Sequence, residues 1–218
     1  MKQKSIFIGA LVLLILVFTA GAILFNQQRV EKADKAASQN REILVRLQSP
    51  TLGNADAPVH IVEFLDPACG TCREFYPLVK ELMAANPGKI RLSVRHAPFH
   101  RGSDEVVKAL EAARKQGKYW QTLEALFASQ PRWVENHTAR PDLAWNQLDG
   151  LGLDMGRLKD DMNSPEIARL VEQDLADAKA LNVTMTPEYF VNGKPLPSFG
   201  FEQLKSLVDD ALASAKGS

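Results

Sequence analysis

A chain of 218 residues with 26 basic and 26 acidic side chains carries no formal net charge, which removes any general electrostatic case for nucleic acid. Its composition, 45% hydrophobic and 24% charged, is that of a folded globular protein and not of a disordered one. Two cysteines are too few to replace a core by cross-links, so the chain must fold on apolar burial.

After a short basic tail (residues 1–5), IFIGALVLLILVFTAGAILF (residues 6–25) contains no charged residue and is long enough to span a bilayer as a helix. It reads as a transmembrane anchor. The alternative is a removable signal peptide, since Lys2 and Lys4 make a basic start and Ala20-Gly21-Ala22 has the small-x-small form of a cleavage site. The apolar run continues past that point through Ile23, Leu24 and Phe25, which favours the anchor. Either reading exports the remainder of the chain. Basic residues flank both ends of the run and leave the orientation open. The cysteine chemistry places residues 26–218 outside the cytoplasm, in the periplasm or outside the cell, on a single-pass inner-membrane protein.

Residues 26–42, NQQRVEKADKAASQNRE, read as a solvated polar tether with helical potential. ILVRL (43–47) and VHIVEFL (Val59–Leu65) are β-branched and apolar, separated by turn residues, and both read as strands; the second, apolar on nearly both faces, suits the centre of a sheet. Phe75, Leu78, Val79 and Leu82 recur at helical spacing over residues 71–85, and Asn86-Pro87-Gly88 ends the pattern. IRLSVRH (Ile90–His96) is a further strand, which completes a strand–helix–strand unit. Residues 103–182 show helical faces and no convincing strand, with Ser164-Pro165-Glu166 as a helix start. Trp120, Trp133 and Trp145 belong to the core or lining of these helices. EYFV (Glu188–Val191) followed by Asn192-Gly193 predicts a hairpin, and Leu204, Leu207, Val208 and Ala211 mark a closing helix. The expected fold is α/β: a core of residues 43–102 and 183–218 forming one sheet, interrupted by a helical insertion at 103–182.

The chemistry lies in Cys69-Gly70-Thr71-Cys72. Two intervening residues put the cysteines about one helical turn apart, within reach of the ~5.5 Å Cα separation of a disulfide. Cys69 falls at the helix start, where free N–H groups and the dipole favour a thiolate nucleophile; Cys72, one turn inside, is the resolving thiol. Two other readings compete. Cys69, Cys72, His96 and His100 are acceptable zinc ligands, although their spacing is not that of a finger and Pro98 keeps the histidines off successive helical turns. An inert bridge gains little from closing so short a loop. No metal and no cofactor is expected.

APVHIVEFLDPACGTC, the helical stretch with GLGLD, and NVTMTPEYFVNGKPL together resemble the DsbA-like exported thiol:disulfide oxidoreductases of the thioredoxin superfamily, over about residues 52–213. The resemblance implies a thioredoxin fold with an inserted all-helical domain, here preceded by the N-terminal transmembrane helix. It also implies that Pro187 is the cis-proline facing the cysteine pair, that Thr186 before it tunes redox behaviour, and that Glu63 is a buried acid able to take the Cys72 proton. Where such oxidants often carry Pro-His between the cysteines, this chain has Gly70-Thr71. With no cation at residue 71, although Arg73 stands one turn on, a milder oxidant is expected. Met185 and Thr186 are expected to line an apolar peptide groove, while His60 and His137 have no expected catalytic part.

The leading expectation is an enzyme exchanging disulfides with exported proteins as an oxidant, reset by a membrane redox partner. Reduction or isomerisation through the same pair, or a membrane-tethered metal-binding or chaperone module, are the alternatives.

Overall fold

The computed structural model describes the backbone of residues 2–216 and, before residue 31, the side chains of a minority of residues. A single 43-residue helix, α1 (Lys2–Leu44), leads into the sheet. Residues 6–25 fall within it, and the expected transmembrane span lies largely outside the described side chains. Among the described residues, no helix is long and apolar enough to cross a membrane.

The chain then runs through β1 (Thr51–Leu52), β2 (Val59–Leu65), α2 (Gly70–Ala85) and β3 (Ile90–His96). A helical stretch comes next: α3 (Ser103–Lys115), α4 (Tyr119–Ala128), a 3-10 turn at Gln130–Arg132, the short strands β4 (Val134–Glu135) and β5 (Thr138–Ala139), then α5 (Pro141–Trp145), α6 (Met155–Met162) and α7 (Pro165–Ala180). The last elements are β6 (Glu188–Val191), β7 (Lys194–Pro195) and α8 (Phe201–Lys216). The five-stranded sheet has the order β1-β3-β2-β6-β7, so strands from either side of the helical stretch pair with one another. β2 runs parallel to β3 across α2 and antiparallel to β6, which makes it the central strand.

Alternation along β2 divides its side chains between two covered faces. Val59 and Ile61 pack with Val79 and Leu82 of α2 and Leu204 and Val208 of α8. Val62 and Phe64 face the other way, against Leu44 at the end of α1, Ala178 of α7 and Phe190. Glu63 belongs to the first face, directly across from Tyr189 of β6.

Three expectations need correction. ILVRL is not a strand: Ile43 and Leu44 finish α1, and the first strand is Thr51–Leu52. Tertiary contact overrides β propensity here. Leu44 is 1% exposed, and the carbonyls of Ile43 and Leu44, which a helix end leaves without partners, accept bonds from Arg95 Nη1 at 3.0 and 3.2 Å. The polar tether is not solvated along its length. Ala37 is buried, Asn40 Nδ2 donates to Gly193 O at 3.0 Å, Arg41 Nε donates to Asn192 O at 2.7 Å, and Lys194 pairs with Asp34 at 2.8 Å. The helical stretch, finally, contains the small β4–β5 ladder.

The Asn192-Gly193 turn therefore has two tasks. Both residues take positive φ, 49° and 86°, as a tight hairpin of this twist requires. A Cβ at residue 193 would also strike the backbone of Ala37, so only glycine lets α1 dock.

The helical stretch is tied to the sheet by buried charge. Arg95, 0% exposed on β3, donates through Nε to Asp174 at 2.6 Å and pairs through its far nitrogen with Asp177, both on α7. Asp177 also receives Arg46 at 2.9 Å. Asp174 takes the backbone N–H of His96 at 2.7 Å, and His96 reaches Tyr119 at 2.9 Å. Arg95→Met should cost roughly 3–5 kcal/mol by leaving buried carboxylates uncompensated. Guanidinium unfolding measures this, and adding Asp174→Asn and Asp177→Asn should recover part of the loss; a triple variant no better than the single one would contradict it.

Candidate active site

The site is built where β2 ends and α2 begins. Leaving the strand, Asp66 turns its carboxylate back over the loop and accepts the N–H groups of Ala68 and His100 at 2.9 and 2.8 Å, while its carbonyl takes the Cys69 N–H at 3.0 Å. Gln130, 3% exposed, clamps the same loop from the helical side, donating Nε2 to the carbonyls of Pro67 and Cys69 at 2.9 and 3.0 Å. These bonds fix the entry to α2.

Cys69 is the N-cap of α2, with φ −75° and ψ 120°, and its sulfur accepts the Cys72 N–H at 3.4 Å. A capping position normally taken by an oxygen is thus taken by sulfur. In the thiol form Cys69 donates to Thr186 O at 3.2 Å. In the thiolate form it collects the Cys72 thiol first, then the Thr186 side chain and the N–H groups of Cys72 and Thr71. Together these outweigh burial and hold its pKa down to about 5 from 9.0.

Cys72 stands in the opposite condition. It is 0% exposed, and burial, followed by its bond to Cys69 and the charge of Glu63, pushes its pKa well above the usual thiol range. Glu63 lies below the pair, 0% exposed, with neither carboxyl oxygen in a hydrogen bond. Burial drives its pKa from 4.5 up to about 8; the facing Tyr189 hydroxyl draws it partly back, and a Cys69 thiolate raises it further. A carboxyl that keeps its proton near neutrality, and whose charge is felt at Cys72, is placed to trade a proton with the resolving thiol.

The Thr186-Pro187 bond is cis, as the resemblance implied, and brings Thr186 against the nucleophile. The structure thus gathers Cys69, Cys72, Glu63, Thr186 and Pro187 at one place. Arg73 is engaged elsewhere, meeting Glu74 at 3.7 Å. For the zinc reading, both ring nitrogens of His96 are engaged, by Asp174 and Tyr119, and among the described residues no group of three or more His, Cys, Asp or Glu is placed to hold a metal ion. His60 sits away from the pair, bonded to Ser93 at 2.8 Å.

An open cleft passes Cys69, bounded by Thr71, Phe99, His100, His137 and Met185. Phe99 is 44% and Met185 60% exposed, so the apolar lining expected at Met185 extends across the cleft to Phe99. Asp66 and Gln130 were not singled out by the sequence, which weighed His100 only as a zinc ligand and gave His137 no catalytic part. Asp66, three residues before Cys69, is the one a local reading could have found; the others reach the site only through tertiary contact.

These ionisations can be measured in two ways. Thiolate absorbance of the reduced protein should titrate with a midpoint near 5, and alkylation at pH 6 should label Cys69 and spare Cys72; equal labelling would contradict the asymmetry. For Glu63, a native pKa of about 8 against 4.5 means the folded state keeps a proton that the unfolded chain has released. Stability contributed by this group is full below 4.5 and declines as pH rises to about 8. In the disulfide form, free of the Cys69 thiolate, Glu63→Gln should flatten that decline and be the more stable protein at pH 8, as read from guanidinium midpoints.

Comparison with known proteins agrees with this geometry. The thioredoxin family profile matches residues 46–210. A crystal structure of a thioredoxin-like oxidoreductase from Silicibacter pomeroyi DSS-3 superposes with a TM-score of 0.69 at 32% identity, covering 79% of this chain and 97% of that one. A probable disulfide bond formation protein D of Bacillus anthracis is 29% identical over 97% of this chain and 98% of its own length. A Na(+)/H(+) antiporter NhaA of Herminiimonas arsenicoxydans is 29% identical over 87% of this chain, and the match spans only 30% of the antiporter's length. The chain thus spans under a third of the antiporter relatives it matches, and with the profile covering most of the sequence and the cysteine pair set at the head of α2 it belongs to the thioredoxin family.

Proposed function

We propose that the chain works as an exported, membrane-anchored oxidant, passing a disulfide from Cys69–Cys72 to the thiols of envelope proteins. The observation that carries this reading is the asymmetry of the pair: Cys69 held down to about 5 and Cys72 pushed up. A thiolate stabilised in the reduced protein favours reduction of the pair, and so oxidation of whatever supplies the electrons.

In the forward direction a substrate thiolate attacks the Cys69 sulfur of the disulfide. The S–S bond breaks, a mixed disulfide forms at Cys69, and Cys72 leaves with the electron pair and takes a proton, for which Glu63, buried and felt at Cys72, is the candidate acid. A second substrate thiolate then attacks the substrate sulfur and expels Cys69 as a thiolate, a good leaving group because its pKa is low. One substrate disulfide is gained and the pair is reduced by two electrons. A membrane redox partner withdraws those electrons and resets it.

Thiolate stabilisation at Cys69 comes from the helix cap, Cys72 and Thr186, with no charged residue between the cysteines. Each pKa unit corresponds to ~1.4 kcal/mol and, for this two-electron couple, roughly 30 mV. That supports an oxidant of intermediate strength. The uncharged run at residues 6–25 supports the anchor, and an oxidising compartment suits a working disulfide.

Cys72→Ser, expressed in the envelope, should accumulate covalent complexes with client proteins through Cys69, visible on non-reducing gels and dissolved by reductant. Absence of such complexes, or their appearance only with Cys69→Ser, would overturn the assignment. A reduction potential in the range of cytosolic thioredoxins would reverse the direction of electron flow.

A further inference from the structure

One wall of the cleft at Cys69 is an imidazole. His100 lies just beyond β3 and folds back so that its Nδ1 meets the Asp66 carboxylate at 2.8 Å, while its own N–H bonds the same carboxylate oxygen. Ser103 Oγ adds a third donor to that oxygen at 3.1 Å. Asp66 is fully buried, whereas the His100 side chain is 20% exposed, so the imidazole is the end of the pair presented to the cleft. His137, from the β4–β5 hairpin, lies stacked against the ring, centroids 5.8 Å apart and planes 24° apart. None of the described hydrogen bonds uses Nε2 of His100. Between the cysteines, Gly70 and Thr71 carry no charge.

We propose that His100, clamped by Asp66 and steadied by His137, is the positioning residue that supplies positive charge to this site, favouring the Cys69 thiolate and the reduced state of the pair. The inference rests on the redox reading above and names a residue that adds to the stabilisation given by the helix cap, Cys72 and Thr186. Reduction of the disulfide adds two electrons and places one proton on Cys72, leaving Cys69 as a thiolate. An imidazolium across the cleft stabilises that product and has no equivalent effect on the neutral disulfide.

Asp66 does not cancel the effect, because its charge is fully buried and spread over the N–H groups of Ala68 and His100 and the Ser103 hydroxyl. Other groups near His100 are His137, Cys69 and Glu74 of the cleft and Arg101, the next residue in the chain. The Asp66 bond is the largest influence on His100 and raises its pKa; the Cys69 charge raises it further. Linkage makes the last influence mutual: whatever Cys69 ionisation does for the imidazolium, the imidazolium does for the thiolate.

Two readouts test the proposal on the full chain in detergent. First, the ring-proton resonance of His100, among the four histidines, is followed against pH in the oxidised and reduced proteins and assigned by its loss in His100→Gln. Its midpoint should be higher in the reduced protein. Second, His100→Gln should raise the Cys69 thiolate midpoint by about one unit and lower the glutathione redox equilibrium constant about tenfold, equivalent to roughly 30 mV. His100→Lys, which keeps a cation at the cleft wall, should restore most of both.

Equal His100 midpoints in the two redox states, or an unchanged Cys69 midpoint and potential in His100→Gln, would overturn the proposal. Failure of the redox reading itself looks different. Wild-type protein would then show no disulfide exchange, and Cys72→Ser would trap no clients.

Discussion

The N-terminus of α2 is held from below by β2 and from the side by Gln130, and into that fixed position the chain sets a sulfur where a helix cap usually has an oxygen. Most of the chemistry depends on this placement. Unpaired amides at the helix start favour a negative charge, and the residue that receives it, Cys69, borders the open cleft. One turn deeper the field of the helix and access to water are both weaker, so Cys72 stays a thiol. Identical side chains separated by one turn therefore ionise in opposite senses.

That division needs a floor that does not move. β2 is the central strand, covered on both faces, and it carries Glu63 under the cysteines and Asp66 at the turn. The two carboxylates are treated in opposite ways. Asp66 is surrounded by donors; Glu63 has only the Tyr189 hydroxyl facing it, and keeps its proton because burial makes its charge costly. The first fixes a loop and an imidazole, and the second remains free to exchange a proton. Further out, Arg95 binds β3 to α7 and to the end of α1, so the helical stretch that contributes Gln130 and His137 is registered against the sheet.

The cleft combines apolar and ionisable surface. Phe99 and Met185 offer exposed apolar contact, while Thr186 presents a carbonyl to the nucleophile and His100 a ring nitrogen to the opening. Apolar and polarised surface thus meet at the Cys69 sulfur. The glycine at 193 serves the other end of the molecule, admitting α1 onto the hairpin so closely that no side chain fits between them.

Much of this was written locally in the sequence. VHIVEFL, the helical spacing after Cys72, IRLSVRH, the Ser164-Pro165 helix start and the EYFV-Asn-Gly hairpin each depend on residues a few positions apart, and each forms where the local pattern puts it. Cys69 and Cys72 were legible for the same reason, since a two-residue spacing on a helix start fixes both their distance and their inequality. Pro187, Thr186 and Glu63 were reached through family resemblance, and the fold brings all three to the pair. ILVRL misled because its strand propensity is weaker than the burial of Leu44 and the capture of its carbonyls by Arg95, far along the chain. Asp66, Gln130, His100 and His137 act at the site through bonds and stacking between distant segments, and no local period records such contacts. Near neighbours along the chain were enough to specify the redox pair, the central strand and the order of the elements. Which carboxyl stays protonated, where α1 docks and which imidazole borders the cleft were decided only by the folded molecule, because burial and cross-strand approach exist only once the chain has closed on itself.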